Sequence, residues 1–233
     1  MKMDGLTGAL VLSLALLATD TGATLPVAPS TYRVLSTPLT QHITTQPGQV
    51  EVVEFFWYGC RFCGALEPKL NAWLDKRRIQ QKEALTSMNK PVPKGWKPDV
   101  AIRRIPVMFT EQLEPYARLY YALEALGQAQ RLAPFLYDAV QKDRRALATP
   151  REQARFLTRH GVDPKAFLEA YHASKTQRAL ERDQALVRAL GVDSVPSLLV
   201  QGRWQTGPEL NHGPEGTLRT LDALVDMARA KQG

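Results

Sequence analysis

The sequence predicts an α/β fold in which a helical subdomain interrupts a small sheet, and three observations carry that expectation. Val50–Tyr58 is a run of β-branched and aromatic residues, the composition of a buried strand, interrupted by the carboxylate of Glu54. Between Glu111 and Ser174 apolar residues recur at helical spacing, first as Leu113, Tyr116, Ala117, Tyr120, Leu123 and Leu126. Roughly sixty helical residues between strands far exceed the dozen or so that a crossover needs, so this stretch is an insertion. Finally, Ser197–Val200 and Trp204–Thr206, joined at Gln201-Gly202-Arg203, read as a β-hairpin.

In chain order, the apolar stretch Gly5–Ala18 behind Lys2 is too short for a comfortable membrane span and suits the core of a signal peptide. Cleavage after Ala23 is the best-fitting site, with an uncleaved anchor as the alternative. Residues 24–49 are rich in Pro and Thr, with an edge strand at Tyr32–Leu35. The buried strand follows, then a helix from Cys60 to about Gln80. Lys82–Asp99 contains Pro91, Pro93, Gly95 and Pro98 and reads as a loop, with a fraying helix at its start as the alternative. Val100–Val107 is a second strand, and Pro106 near its end argues for an edge or a terminus. Within the insertion, Thr149-Pro150-Arg151-Glu152 is a capping box, and Asp163-Pro164 starts a helix by the same cap-then-proline logic. Thr176–Leu190 and residues 215–230 complete the helices. The expected organisation is 1–23 signal peptide, 24–110 first part of the sheet domain, 111–174 helical insertion, and 175–233 second part.

The 233 residues carry a formal charge of +7, and loss of residues 1–23, with one Lys and two Asp, raises it to +8. The excess is spread along the chain, without the basic stripe and aromatic platforms of a nucleic-acid binder, so no nucleic-acid partner is expected. Three arginine pairs, Arg77-Arg78, Arg103-Arg104 and Arg144-Arg145, could form a patch in space.

The chain has only two cysteines, and both sit in Cys60-Arg61-Phe62-Cys63, where the strand turns into the helix. An intramolecular disulfide can only be Cys60–Cys63. At a helix start, unpaired backbone N–H groups favour a thiolate on the first sulfur, and the second lies about one turn on, near enough to bridge. Arg61 places a cation beside Cys60. A stabilised thiolate leaves readily, which makes the disulfide form oxidising. Closed zinc sites want four ligands, and none pair with these two at finger spacing. Copper(I) on two thiolates stays open. No cofactor is expected, and His42, His160, His172 and His212 receive no catalytic or metal role. Glu54, six residues before Cys60, is a carboxylate in an apolar strand, where burial raises its pKa and lets it exchange protons with Cys63. Trp57, Tyr58 and Phe62 are candidates for an apolar rim, although such aromatics more often belong to the core.

The strand with Glu54, the C-x-x-C motif, Pro68 five residues past Cys63 and the downstream Val195-Pro196 together resemble the DsbA-type thiol-disulfide oxidoreductases of the thioredoxin superfamily, from about Gln46 to the C-terminus. The resemblance implies a thioredoxin fold with an inserted helical subdomain. It implies Cys60 as nucleophile, Cys63 as its buried partner and Glu54 as the acid below them. Val195 and Pro196 would form a cis-proline loop that pairs with an extended substrate by strand addition. Arg61 and Phe62 stand at the thiolate-stabilising positions, but the family's best-known dipeptide is Pro-His, and Phe62 has no side-chain donor. The lysine that partners the acid elsewhere has no clear counterpart, leaving Arg103 or Arg104. The function implied is a periplasmic oxidase that donates its disulfide to reduced, unfolded exported proteins and is re-oxidised by a DsbB-like membrane oxidase. The alternatives are a reductase or isomerase, and a copper(I)-binding module. An isomerase would carry a dimerisation domain, for which residues 24–49 are too short.

Overall fold

The computed structural model describes residues 28–231; the expected signal peptide lies outside them. Five strands form one mixed sheet: β1 (Arg33–Val34), β2 (Val50–Phe56), β3 (Val100–Pro106), β4 (Ser197–Val200) and β5 (Trp204–Thr206), in the spatial order β1-β5-β4-β2-β3. β2 runs parallel to β3 and antiparallel to β4, and β4 and β5 form the expected hairpin. All seven residues of β2 are buried, which explains its unbroken apolar character. β3 is an edge strand that ends at Pro106, a residue with no N–H to give a further neighbour.

The helices are α1 (Arg61–Ser87), α2 (Glu114–Ala125), α3 (Ala129–Lys142), α4 (Pro150–Thr158), α5 (Pro164–His172), α6 (Ser174–Leu190) and α7 (Pro214–Ala230). α1 outruns the expected end at Gln80, because Lys82–Ser87 holds good helix formers and the first hard stop is Pro91. Pro68 lies inside α1. Both expected helix starts in the insertion occur: Thr149 and Glu152 form the reciprocal capping box, and the Asp163 side chain accepts from the Ala166 N–H.

The sheet is covered on both faces. Val50 and Val52 pack with Leu66, Leu70 and Trp73 of α1 and with Leu221 and Leu224 of α7. Val53 and Phe55 pack with Leu186 and Val187 of α6. A third core fills the inserted helices, where Leu119, Leu123, Leu132, Leu136, Leu157 and Phe167 gather, and Phe56, Tyr58 and Cys63 reach into it from the sheet domain. The C-x-x-C motif thus sits at the seam between the two bodies.

A buried polar knot fastens that seam. The Asp183 carboxylate on α6 accepts from the Tyr121 hydroxyl on α2 at 2.9 Å and from Arg103 on β3 at 3.2 Å. Arg103 also lies 3.5 Å from Glu51 of β2, a second buried carboxylate that in turn accepts from Thr44. Removing Asp183 leaves the buried Tyr121 hydroxyl without its acceptor and takes from Arg103 one of its two carboxylates. Asp183→Ala is expected to lower unfolding stability by about 3–5 kcal/mol in denaturant titration, and Tyr121→Phe by only about 1 kcal/mol.

Candidate functional site

β2 ends at Phe56, and Trp57-Tyr58-Gly59 carries the chain over the sheet's edge into α1. Gly59 is required by close approach, since a Cβ there would overlap the Trp57 indole. Cys60 then occupies the N-cap of α1 with extended backbone (φ −86°, ψ 112°), and its sulfur accepts the Cys63 backbone N–H at 3.3 Å. The position that serine or aspartate commonly fills is here held by a thiol.

The two sulfurs have opposite environments. Cys60 is part-exposed, whereas Cys63 is fully buried. The Cys60 thiol is brought down to about 6 by the Cys63 S–H donating to it, against the cost of partial burial, with help from the Cys63 and Phe62 backbone N–H groups and the charge of Arg144. Burial pushes Cys63 the other way, well above the usual thiol range, and the Cys60 and Glu54 charges add to that shift. One sulfur is made to ionise and the other to hold its proton.

Glu54 lies on the face of β2 beneath α1 and is wholly buried. Its Oε2 accepts from Arg104 Nε at 2.9 Å, while Oε1 is buried without a hydrogen-bond partner among the described residues. Arg104 stands directly opposite Glu54 in the β2–β3 register, and it also reaches Glu67 Oε2 at 3.1 Å and Asn71 Oδ1 at 2.6 Å. Of the two arginines considered from sequence, Arg104 is thus the acid's partner and Arg103 belongs to the Asp183 knot. Burial raises Glu54 to about 7, Arg104 opposes the rise, and Glu67 and Cys60 add to it.

The Val195–Pro196 peptide is cis, and the Val195 carbonyl lies 3.4 Å from Cys60 Sγ. Two clefts flank the sulfur. One, of about 590 Å³, runs along Phe62, Ala65, Val195, Pro196, Pro208 and Pro214. The other, of about 610 Å³, opens toward the insertion between Trp57, Cys60, Arg61, Phe62, Phe109 and Arg144. The Phe62 ring is 62% exposed and Phe109 45% exposed, so these two form an apolar rim, while Tyr58 is core.

The Arg61 guanidinium lies over the Phe62 ring, 5.7 Å from its centroid, and Arg144 brings a positive charge that acts on the sulfur. Phe62 contributes through its backbone N–H rather than its side chain. The three arginine pairs do not merge into one patch: Arg77 is bound by Asp99, Asp222 and Asp226, Arg103 and Arg104 are interior, and Arg144 is at the site. Sequence reasoning gave no role to Glu67, Gln141 or Arg144. Glu67 follows Cys63 by about one helical turn and was open to a reading of α1's inner face. Gln141, which donates to the Cys60 carbonyl at 3.1 Å, comes from a distant helix and left no local signal.

Two measurements check this electrostatic picture. Alkylation of Cys60 in the reduced protein should rise with pH through a midpoint near 6. Because that folded value is depressed, the stability Cys60 lends the reduced form is complete above the ordinary thiol pKa and is lost as pH falls through about 6. Glu54 has the reverse sign: its folded value is raised, so its contribution is complete below 4.5 and is lost as pH rises through about 7. Glu54→Gln should flatten that slope and stabilise the fold above pH 7 by roughly 1–3 kcal/mol, read from denaturant curves across pH.

Comparison with known proteins agrees with this architecture. Residues 51–211 match the model of the DSBA-like thioredoxin domain family. The thiol:disulfide interchange protein DsbA of Burkholderia cepacia is 34% identical over 233 residues, covering 99% of this chain and 100% of that protein. Its namesake from Azotobacter vinelandii is 36% identical over 187 residues, covering 80% and 78%. The crystal structure of Pseudomonas aeruginosa DsbA superposes with a TM-score of 0.70 at 32% identity, covering 86% of this chain and 93% of that one. A thioredoxin-like sheet split by a helical insertion, with similarity along nearly its whole length, makes this chain a member of the DSBA-like thioredoxin domain family.

Proposed function

We propose that this protein is a periplasmic thiol:disulfide oxidase that passes a Cys60–Cys63 disulfide to reduced, unfolded exported proteins and is re-oxidised by a DsbB-like membrane oxidase. The observation that carries the reading is the asymmetry of the two sulfurs: Cys60 caps α1 and favours the thiolate, while Cys63 is buried and favours the thiol. No helix among the described residues is long and apolar enough to cross a membrane.

The chemistry follows from that asymmetry. A client thiolate attacks the accessible Cys60 sulfur of the disulfide form, the Cys60–Cys63 bond breaks, and its electron pair goes to Cys63. Charge on a buried sulfur is costly, so Cys63 takes a proton as it leaves. Glu54, whose charge weighs on both sulfurs and whose pKa of about 7 keeps it part-protonated at neutral pH, is the proton store. A second client thiolate then attacks the client sulfur of the mixed disulfide, and Cys60 departs as its stabilised thiolate. Two electrons have moved from client to enzyme, and the client holds the disulfide. The extended client pairs with the backbone at Val195, and its apolar side chains enter the cleft along Pro196, Pro208 and Pro214. Backbone pairing and an apolar trough suit many client sequences.

The stabilisation of the reduced form predicts a couple more oxidising than that of thioredoxin, about −270 mV. Equilibration with glutathione buffers reads the potential directly, and a value as reducing as thioredoxin's would replace the oxidase by a reductase. Catalysed oxidation of a reduced, unfolded protein separates either from a metal carrier. Cys60→Ser is expected to abolish that turnover.

A further inference from the structure

The cleft on the insertion side of Cys60 has a chemical character that backbone pairing does not explain. Two arginines flank it, Arg61 from α1 and Arg144 from the loop after α3, and no carboxylate lines it. Each guanidinium is laid against an aromatic ring, Arg61 at 5.7 Å from the Phe62 centroid and Arg144 at 5.5 Å from the Trp57 centroid. A cation–π contact restrains a guanidinium without using its N–H donors, which can take a carboxylate by two parallel hydrogen bonds. Neither arginine has a carboxylate partner among the described residues, in contrast to Arg77, Arg103 and Arg104. The nearest acids in sequence are otherwise engaged: Asp138 pairs with Lys142, and Asp143 accepts from the Arg145 backbone N–H. The Arg144 loop is built rather than loose, because the buried Tyr116 ring sends its hydroxyl to the Arg144 and Ala146 carbonyls, each at 3.0 Å. The exposed Phe62 and Phe109 supply apolar walls for the methylene stem of a long acidic side chain.

We infer that this cleft is a subsite for an acidic side chain of the client, glutamate above all, lying close in sequence to the cysteine being oxidised. The inference rests on the oxidase reading and adds to it a selectivity. Clients with a carboxylate near the reactive thiol are held by Arg144 and Arg61, and clients with a lysine there are repelled.

The test uses the oxidised full chain and unstructured two-cysteine peptides that differ only in bearing Glu, Gln or Lys beside the first cysteine, on either side. Each oxidation rate is divided by that of the same peptide with the uncharged disulfide of 2-mercaptoethanol, which corrects for the effect of the neighbouring charge on the peptide's own thiol. The normalised kcat/KM is expected to favour Glu over Lys by roughly tenfold at low ionic strength, with Gln between them. The preference should shrink toward unity near 1 M salt, where the Debye length is about 3 Å. Arg144→Glu should reverse the order, and Arg61→Glu should weaken it. Any change these variants make in Cys60 itself acts on all the peptides alike and cancels in the ratio. Equal normalised rates for the three peptides overturn the subsite and leave the oxidase reading standing. A Glu preference that survives both charge reversals overturns it too. Failure of the wild-type protein to oxidise any peptide overturns the oxidase reading beneath it.

Discussion

The hydrogen bond from the Cys63 amide to the Cys60 sulfur is the constraint on which the rest of the site depends. It places the reactive atom at the positive end of a 27-residue helix and makes the cap and the nucleophile one group. A capping hydroxyl would satisfy the same N–H without titrating in any useful range. A sulfur there can be neutral, anionic or bonded to its neighbour, and the helix favours the anion. Cys63, one turn deeper, is walled in by the insertion's core, so the pair cannot share charge evenly. The direction of electron flow is thus set by where two identical side chains stand relative to one helix end and one apolar boundary.

The inserted helices do more than cover the sheet. They enclose Cys63, hold the Cys60 carbonyl through Gln141, and bring Arg144 to the mouth of the site. Between the two cysteines Phe62 offers no side-chain donor, and a positive charge arrives at the sulfur from another part of the chain, Arg144. The buried group Glu54–Arg104–Glu67–Asn71 holds one cation between two carboxylates under the motif. Burial, only partly offset by Arg104 and reinforced by the charge of Glu67, keeps Glu54 from ionising fully, and that is the property a proton store needs.

How much of this could be read from the sequence follows from the range over which each signal acts. The hairpin at Ser197–Thr206 and the helix starts at Thr149-Pro150 and Asp163-Pro164 rest on neighbouring residues alone, and they occur where expected. α1 runs past its expected end near Gln80, because the helix formers ahead of the first proline carry a continuous helix where the sequence suggests only a loop with a fraying helical start. C-x-x-C was legible because strand, turn and motif are contiguous. Arg104 was half-legible: it was named beside Arg103, but only the register that sets Glu54 opposite Arg104 decides between them. Arg144 was seen merely as one of a basic pair. Its effect on Cys60 depends on how far the insertion folds back, which no local pattern encodes.

The short and blunted borders of the sheet bear on the company this protein keeps. β1 offers two residues and β3 closes on proline, with two arginines drawn inward to buried carboxylates just before it. An unfolded chain is a supply of loose strands in search of a template, and a long plain border would recruit them side by side. With its flanks curtailed in this way, the sheet offers a loose strand no border long enough to settle on, and clumping by that route is closed.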